Sequence, residues 1–121
     1  TYINAGHNPP ILYYDKKFSE LSKGCTLLGI TENLRDIEVE TFEYAANFCL
    51  VCYTDGLTDT INHNNDNVEM DRIKEIILEN LEAGPAEINT ALFDYAEKFK
   101  GDMDFPDDIA LLSLKVSDLS F

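Results

Sequence analysis

The feature that most constrains the fold is an apolar run in the middle of the chain, Phe48 to Thr54. Its length and continuous apolar character predict a buried strand. The run ends abruptly in Asp55-Gly56, so a carboxylate stands at the carboxyl end of that strand. The glycine allows the backbone to turn sharply there and lets a ligand approach closely. The sequence therefore predicts a sheet built around this run, with a candidate site at its end.

Two of the three cysteines, Cys49 and Cys52, lie inside the apolar run at the spacing of a redox or zinc half-motif. Residues three apart in a strand point to opposite faces of the sheet, so the two thiols could not share one ion. No second CxxC completes a zinc site. We therefore expect two buried, inert cysteines. With Cys25 the count is odd, which disfavours a disulfide framework and favours a reducing compartment.

The segments around the run predict further strands and two helices. Short patterns before it predict strands over 2–5, 11–14, 18–21 and 37–41. Apolar residues at helical spacing after it predict a helix near 69–82 and a second one that begins at Pro85 and stops at Gly101. A last, largely apolar strand is predicted over 109–116. This order favours an α+β domain, an antiparallel sheet with a helical layer on one face.

Charge excludes several classes of function. The chain has 9 Lys and Arg against 23 Asp and Glu, a formal net charge of −14. Such a chain repels phosphate backbones and anionic membrane surfaces, so we expect neither nucleic-acid binding nor direct membrane contact. Apolar residues make up 45% of the chain, which is enough for a core. No apolar run approaches 18 residues, so the sequence predicts no membrane span.

A pair of adjacent carboxylates, Asp107-Asp108, stands directly before the last predicted strand. If 48–54 and 109–116 are antiparallel neighbours, the end of one strand lies about 4.8 Å from the start of the other. Asp55 and the pair would then share one edge of the sheet, where hard oxygen ligands suit Mg²⁺ or Mn²⁺ rather than zinc. From spacing alone, the alternative stays open that Asp-Gly is a turn and Asp-Asp the solvated start of a strand.

Three motifs occur in order along the chain: Asn4-Ala-Gly-His-Asn-Pro-Pro10, Tyr53-Thr-Asp-Gly-Leu-Thr58 and Asp107-Asp-Ile-Ala-Leu-Leu112. Together they resemble the bacterial branch of the metal-dependent (type 2C) serine/threonine protein phosphatases, which includes the stage II sporulation phosphatase and the sigma-factor-regulating phosphatases. The resemblance runs over essentially the whole chain but only over the later part of the family's catalytic domain. Residues 1–121 are therefore expected to be the C-terminal portion of a single phosphatase domain.

The resemblance implies a sandwich of two antiparallel β-sheets flanked by helices (αββα), present here only as a C-terminal fragment, with two Mn²⁺ or Mg²⁺ ions at one edge. It makes Asp55 and Asp107 metal ligands. It makes Asp59 and Asp108 weaker ligands or neighbours of the ligands, and Gly56 a point of close backbone approach. His7 lies in the first motif, where we favour a hydrogen-bond partner that orders the loop over a base.

The implied reaction is hydrolysis of phosphoserine or phosphothreonine by metal-activated water. The implied substrate is a regulatory protein, an anti-sigma-factor antagonist in the cytoplasm, although the parent protein could be tethered to a membrane upstream. The fragment should bind metal weakly, be inactive alone, and either pack against a copy of itself or replace missing strands by rearrangement. The alternatives are a non-catalytic binding or scaffold domain that keeps the fold, and an unrelated acidic α+β module.

Overall fold

The protein is described from a computed structural model, which describes residues 1–44 and 47–117. Five strands come first along the chain, three helices follow, and a last strand ends the series, in the order of strands, helices and strand that the sequence pattern predicts. The elements are β1 (Asn4–Ala5), β2 (Ile11–Tyr14), β3 (Lys17–Glu20), β4 (Gly24–Cys25), β5 (Phe48–Tyr53), α1 (Asp55–Thr58), α2 (Met70–Glu79), α3 (Pro85–Lys100) and β6 (Leu111–Val116).

The main sheet has four strands in the order β3-β2-β5-β6, and every neighbouring pair in it is antiparallel. β5, the apolar run of the sequence, is an inner strand with partners on both sides. Its pairing with β6 runs from Phe48 opposite Val116 to Tyr53 opposite Leu111. This confirms the predicted antiparallel neighbours on which the candidate site depends.

The two cysteines of β5 lie on opposite faces of the sheet, as a spacing of three residues in a strand requires. Cys49 is buried in the core, Cys52 is half-buried, and both thiols are free, as is that of Cys25. Burial raises the pKa of Cys49 and of Cys52, so both thiols stay protonated and unreactive near neutral pH. Cys49 is therefore buried as predicted, whereas Cys52 is only half-buried.

α2 and α3 cover one face of the main sheet. Each presents three buried apolar side chains at helical spacing: Ile73, Ile76 and Ile77 from α2, and Ile88, Leu92 and Ala96 from α3. They pack on Ile11, Val51 and Tyr53 from the sheet. α3 begins at Pro85 and ends before Gly101, as predicted. None of the described helices combines the length and the apolar character that crossing a lipid bilayer requires.

The opposite face of the main sheet carries apolar side chains that no described helix covers. Leu112 and Leu114 of β6 are 66% and 50% exposed, and they lie beside Cys52 and Leu50 in the sheet register. The described residues contain one other sheet, the two-stranded parallel pair of β1 and β4. The α+β class with an antiparallel sheet is confirmed, and the architecture is compatible with a fragment of a type 2C phosphatase fold.

The predicted strand over 37–41 is wrong. In this stretch Glu40 forms an isolated bridge with Tyr2, and the amide of Glu38 donates to the carbonyl of Gly24. Ile37 and Val39, the apolar half of the alternation, are 48% and 57% exposed. Apolar and polar residues do alternate over 37–41. Among the described residues, however, this stretch has no continuous strand partner, and its apolar side chains are not buried against another element.

Candidate functional site

The end of β5 and the approach to β6 are joined at one edge of the main sheet. We call this edge the rim, defined as residues 54–56 and 107–110. Thr54 holds its two halves together, because its amide donates to the carbonyl of Ala110 at 3.1 Å. Its hydroxyl Oγ1 donates to the carbonyl of Asp108 at 2.8 Å and accepts from the amide of Ala110 at 2.9 Å. These three bonds fix the residue before Asp55 against the residues that follow Asp107.

Gly56 is the point of closest approach within the rim. A Cβ atom placed on it would lie 2.5 Å from the carbonyl oxygen of Asp108 and 2.8 Å from that of Asp107. Because real Cβ contacts are longer than this, only glycine allows Asp55 to sit against the Asp107-Asp108 backbone. The structure therefore brings Asp55, Gly56, Asp107 and Asp108 together, as the sequence predicts.

The short helix α1 anchors the rim to the core. Leu57 is fully buried, and the hydroxyl of the buried Thr60 donates to the carbonyl of Gly56 at 2.7 Å. Asp59 lies one turn after Asp55, with its amide donating to the Asp55 carbonyl at 2.8 Å. The contacts of Leu57 and Thr60 thus fix the backbone of α1 against the core, while the side chains of Asp55 and Asp59 stay exposed.

The donors at the rim are hard oxygens in an open setting. Asp55, Asp107 and Asp108 are exposed, and Asp107 accepts the amide of Asp108 on its Oδ1 at 2.7 Å. Among the described residues no three His, Cys, Asp or Glu side chains are grouped closely enough to hold a metal ion. Mg²⁺ is commonly bound by one or two carboxylates together with water and substrate phosphate. The exposed carboxylate oxygens of the rim are donors of the kind that such an ion takes.

His7 lies beside the rim. A shallow depression of about 170 Å³ is lined by Gly6, His7, Asn8, Thr54 and Asp55. The loop is closed by the Asn4 side chain, whose Oδ1 accepts the amide of His7 at 2.8 Å. Its Nδ2 donates to the carbonyls of His7 at 2.8 Å and Leu21 at 3.2 Å. A depression of about 680 Å³ is lined by Thr26, Asp36 and residues between them, and by none of the candidate residues.

Sequence reasoning missed the structural roles of Asn4 and Thr54. Each is a polar residue at or inside a predicted strand and next to a motif residue, which is the signal that could have identified it. His63 lies in the polar loop after α1, where it is exposed and close to Gly101.

Residues 1–117 match the family model described as Stage II sporulation protein E (SpoIIE). Comparison with curated proteins and with solved structures gives no match. The family match covers nearly the whole chain, all three motifs and the complete rim.

Proposed function

Because the chain belongs to the stage II sporulation protein E family of phosphatase domains, we propose that it contributes to Mn²⁺- or Mg²⁺-dependent hydrolysis of phosphoserine or phosphothreonine on a regulatory protein. The observation that carries the proposal is the close approach at Gly56, which sets Asp55 against Asp107 and Asp108 on one exposed rim. A divalent cation would offset the repulsion between carboxylates that share this rim.

In this proposal Asp55 and Asp107 are direct ligands of a divalent cation. Asp59 and Asp108 stand next to them as weaker ligands. Gly56 has no side chain and so allows the backbone of Asp107 and Asp108 to lie close to Asp55. When bound, such a cation lowers the pKa of water and neutralises charge on phosphoryl oxygens. Asp55 and Asp107 would hold the cation at the sheet edge, where the Thr54 hydrogen bonds and the buried Leu57 fix the backbone.

We further propose that residues 1–121 are the C-terminal portion of one catalytic domain and lack part of the ligand set. The isolated chain is then expected to bind Mn²⁺ weakly and to show no hydrolysis of a phosphoserine peptide, because two carboxylates leave most of the coordination to water. A Mn²⁺-dependent assay of the purified chain beside the full-length protein measures this. A rate for the chain close to that of the longer protein would contradict it.

The proposed substrate is a phosphorylated anti-sigma-factor antagonist, in line with the family. We place the protein in the cytoplasm, which three free cysteines support because they suit a reducing compartment. Self-association of the isolated chain is a related proposal. It is supported by the apolar sheet face around Leu112 and Leu114, where an exposed face and edge strand favour pairing.

Asp55→Asn in the full-length protein tests the metal role. The change keeps the shape of the side chain and removes its charge. Loss of a residue that only hydrogen-bonds to a metal ligand typically weakens metal binding ~10–100-fold. Because Asp55 would be a ligand itself, we expect the Mn²⁺ concentration for half-maximal rate to rise by at least that factor. Calorimetric Mn²⁺ titration should show the same weakening.

Asp94→Asn is the matched control, because Asp94 is an exposed acid on α3 and lies outside the rim. It should leave Mn²⁺ dependence unchanged. Unchanged Mn²⁺-dependent hydrolysis in Asp55→Asn would exclude the ligand role. The alternative function, a non-catalytic binding domain, predicts that the wild-type full-length protein binds its phosphorylated partner without releasing phosphate.

A further inference from the structure

β6 is an outer strand of the main sheet among the described residues, and half of its backbone groups point away from the sheet. The amide of Thr54 donates to the carbonyl of Ala110, and hydrogen bonds in an antiparallel pair recur at every second residue. From Leu112 onward, alternate residues of β6 therefore bond to β5. The residues between them turn their amides and carbonyls outward, where no described residue bonds them: Leu111, Ser113 and Lys115.

The two outer strands of the main sheet differ in how well they are protected. β3, at the other side, carries the exposed charged side chains of Lys17 and Glu20. Charges and prolines on an outer strand discourage its pairing with another chain. β6 has no proline and no acidic residue, and the Nζ of its one charged residue, Lys115, donates to the carbonyl of Leu81 at 2.8 Å. The edge at β6 is therefore open to a further strand.

β6 is complementary to a second copy of itself in one register. The two strands would run antiparallel about a two-fold axis at Ser113, with Leu111 opposite Lys115 of the second copy. The outward amides and carbonyls then face one another and can all be bonded. The same register sets Leu112 opposite Leu114 of the second copy, on the sheet face that no described helix covers. Opposed apolar pairs stabilise neighbouring strands, so backbone and side chains favour the same register.

We propose that β6 pairs with β6 of a second copy of this chain and extends the main sheet through both molecules. This specifies the surface for the self-association proposed for the isolated chain. It does not depend on hydrolysis of phosphate, so either proposal can fail while the other holds. One pair of six-residue strands is small beside stable interfaces, and a net charge of −14 on each copy opposes association. The dimer should therefore be weak and form only at high protein concentration.

Ser113→Pro in the 121-residue chain tests the backbone contact. Proline lacks the amide that would bond to the second copy, whereas the pairing with β5 does not use that amide. In sedimentation velocity, the dissociation constant of the dimer should rise by about 10–100-fold, as expected for the loss of the symmetric hydrogen bonds at this position. Ser113→Ala is the matched control, because it also loses the hydroxyl bond to Asn89 but keeps the amide. It should dimerise like wild type.

A second pair of variants tests the register and leaves the backbone unchanged. Leu112→Glu and Leu114→Lys each place a charge opposite a leucine of the second copy, so each variant alone should stay monomeric. In an equal mixture the two opposite charges face each other, and a heterodimer should form. Both leucines are at least half exposed, so both variants should fold, which circular dichroism checks.

A wild-type dimer that Ser113→Pro weakens no more than Ser113→Ala would overturn the proposal and move the contact to another surface. A mixture of the two charged variants that stays monomeric would overturn it too, and this mixture decides the matter if Ser113→Pro fails to fold. A wild-type chain that stays monomeric at every concentration would overturn the pairing and leave the edge to a strand of a different protein or of a longer form of this one.

Discussion

Replacement of Leu57 by alanine is expected to destabilise the fold by about 2–5 kcal/mol. Leu57 is 0% exposed and belongs to the hydrophobic core, although it sits in a four-residue helix directly after the rim carboxylate. Removing its side chain leaves a cavity where α1 meets the core, and a helix this short has little stability of its own to offset the loss. Urea unfolding followed by circular dichroism measures the effect.

Leu112→Ala is the matched control for this prediction. The residue type is the same, but Leu112 is 66% exposed on the uncovered sheet face. A surface substitution of this kind should fall within about 0.5 kcal/mol of wild type. If both variants lost the same stability, Leu57 would not be the anchor of α1 that its burial indicates.

The second large effect is expected for Gly56→Ala. In a helix, alanine is normally favoured over glycine by about 1 kcal/mol. Here the added Cβ would lie 2.5 Å from a backbone oxygen of Asp108, which no side-chain rotation can relieve. We therefore expect the sign to reverse, with a loss of about 1–3 kcal/mol, as for overpacked interiors. The two halves of the rim should also move apart, so Mn²⁺ affinity should fall in the full-length protein.

Gly29→Ala separates the steric effect from the cost of adding a side chain in general. Nothing lies within 4 Å of a Cβ at Gly29, although its φ of +86° adds backbone strain. This variant should lose some stability and keep its Mn²⁺ affinity. A Gly56→Ala protein that is as stable as wild type or more stable would show that the rim is looser than the structure indicates.

The central part of the fold was predictable because its signals are local and strong. The apolar run gave β5, and the helical spacing of isoleucine and leucine gave α2 and α3. β4, α1 and the failed strand over 37–41 depend on which distant backbone groups are available for pairing. Glu40 meets Tyr2, and Gly24 pairs with Asn4, and no local pattern encodes either partnership.

The site was predictable to the extent that it follows from strand adjacency. Once β5 and β6 are neighbours, Asp55 and Asp107 must share an edge. What adjacency could not supply is the placement of the His7 loop beside Asp55, because that depends on the turn after β1 and on the Asn4 side chain. The roles of Asp55 and Asp107 as ligands stay predictions.

The pairing of β5 with β6 also has a consequence for how the molecule folds. Tyr53 meets Leu111 only after the chain has closed a long loop that contains α2 and α3. Loop closure costs entropy before distant contacts repay it, whereas the helices form from near neighbours. We therefore expect the acidic edge to appear late in folding, after a helical hairpin has collapsed. Pulse-labelled hydrogen exchange would show this as amides of β6 becoming protected after those of α2 and α3.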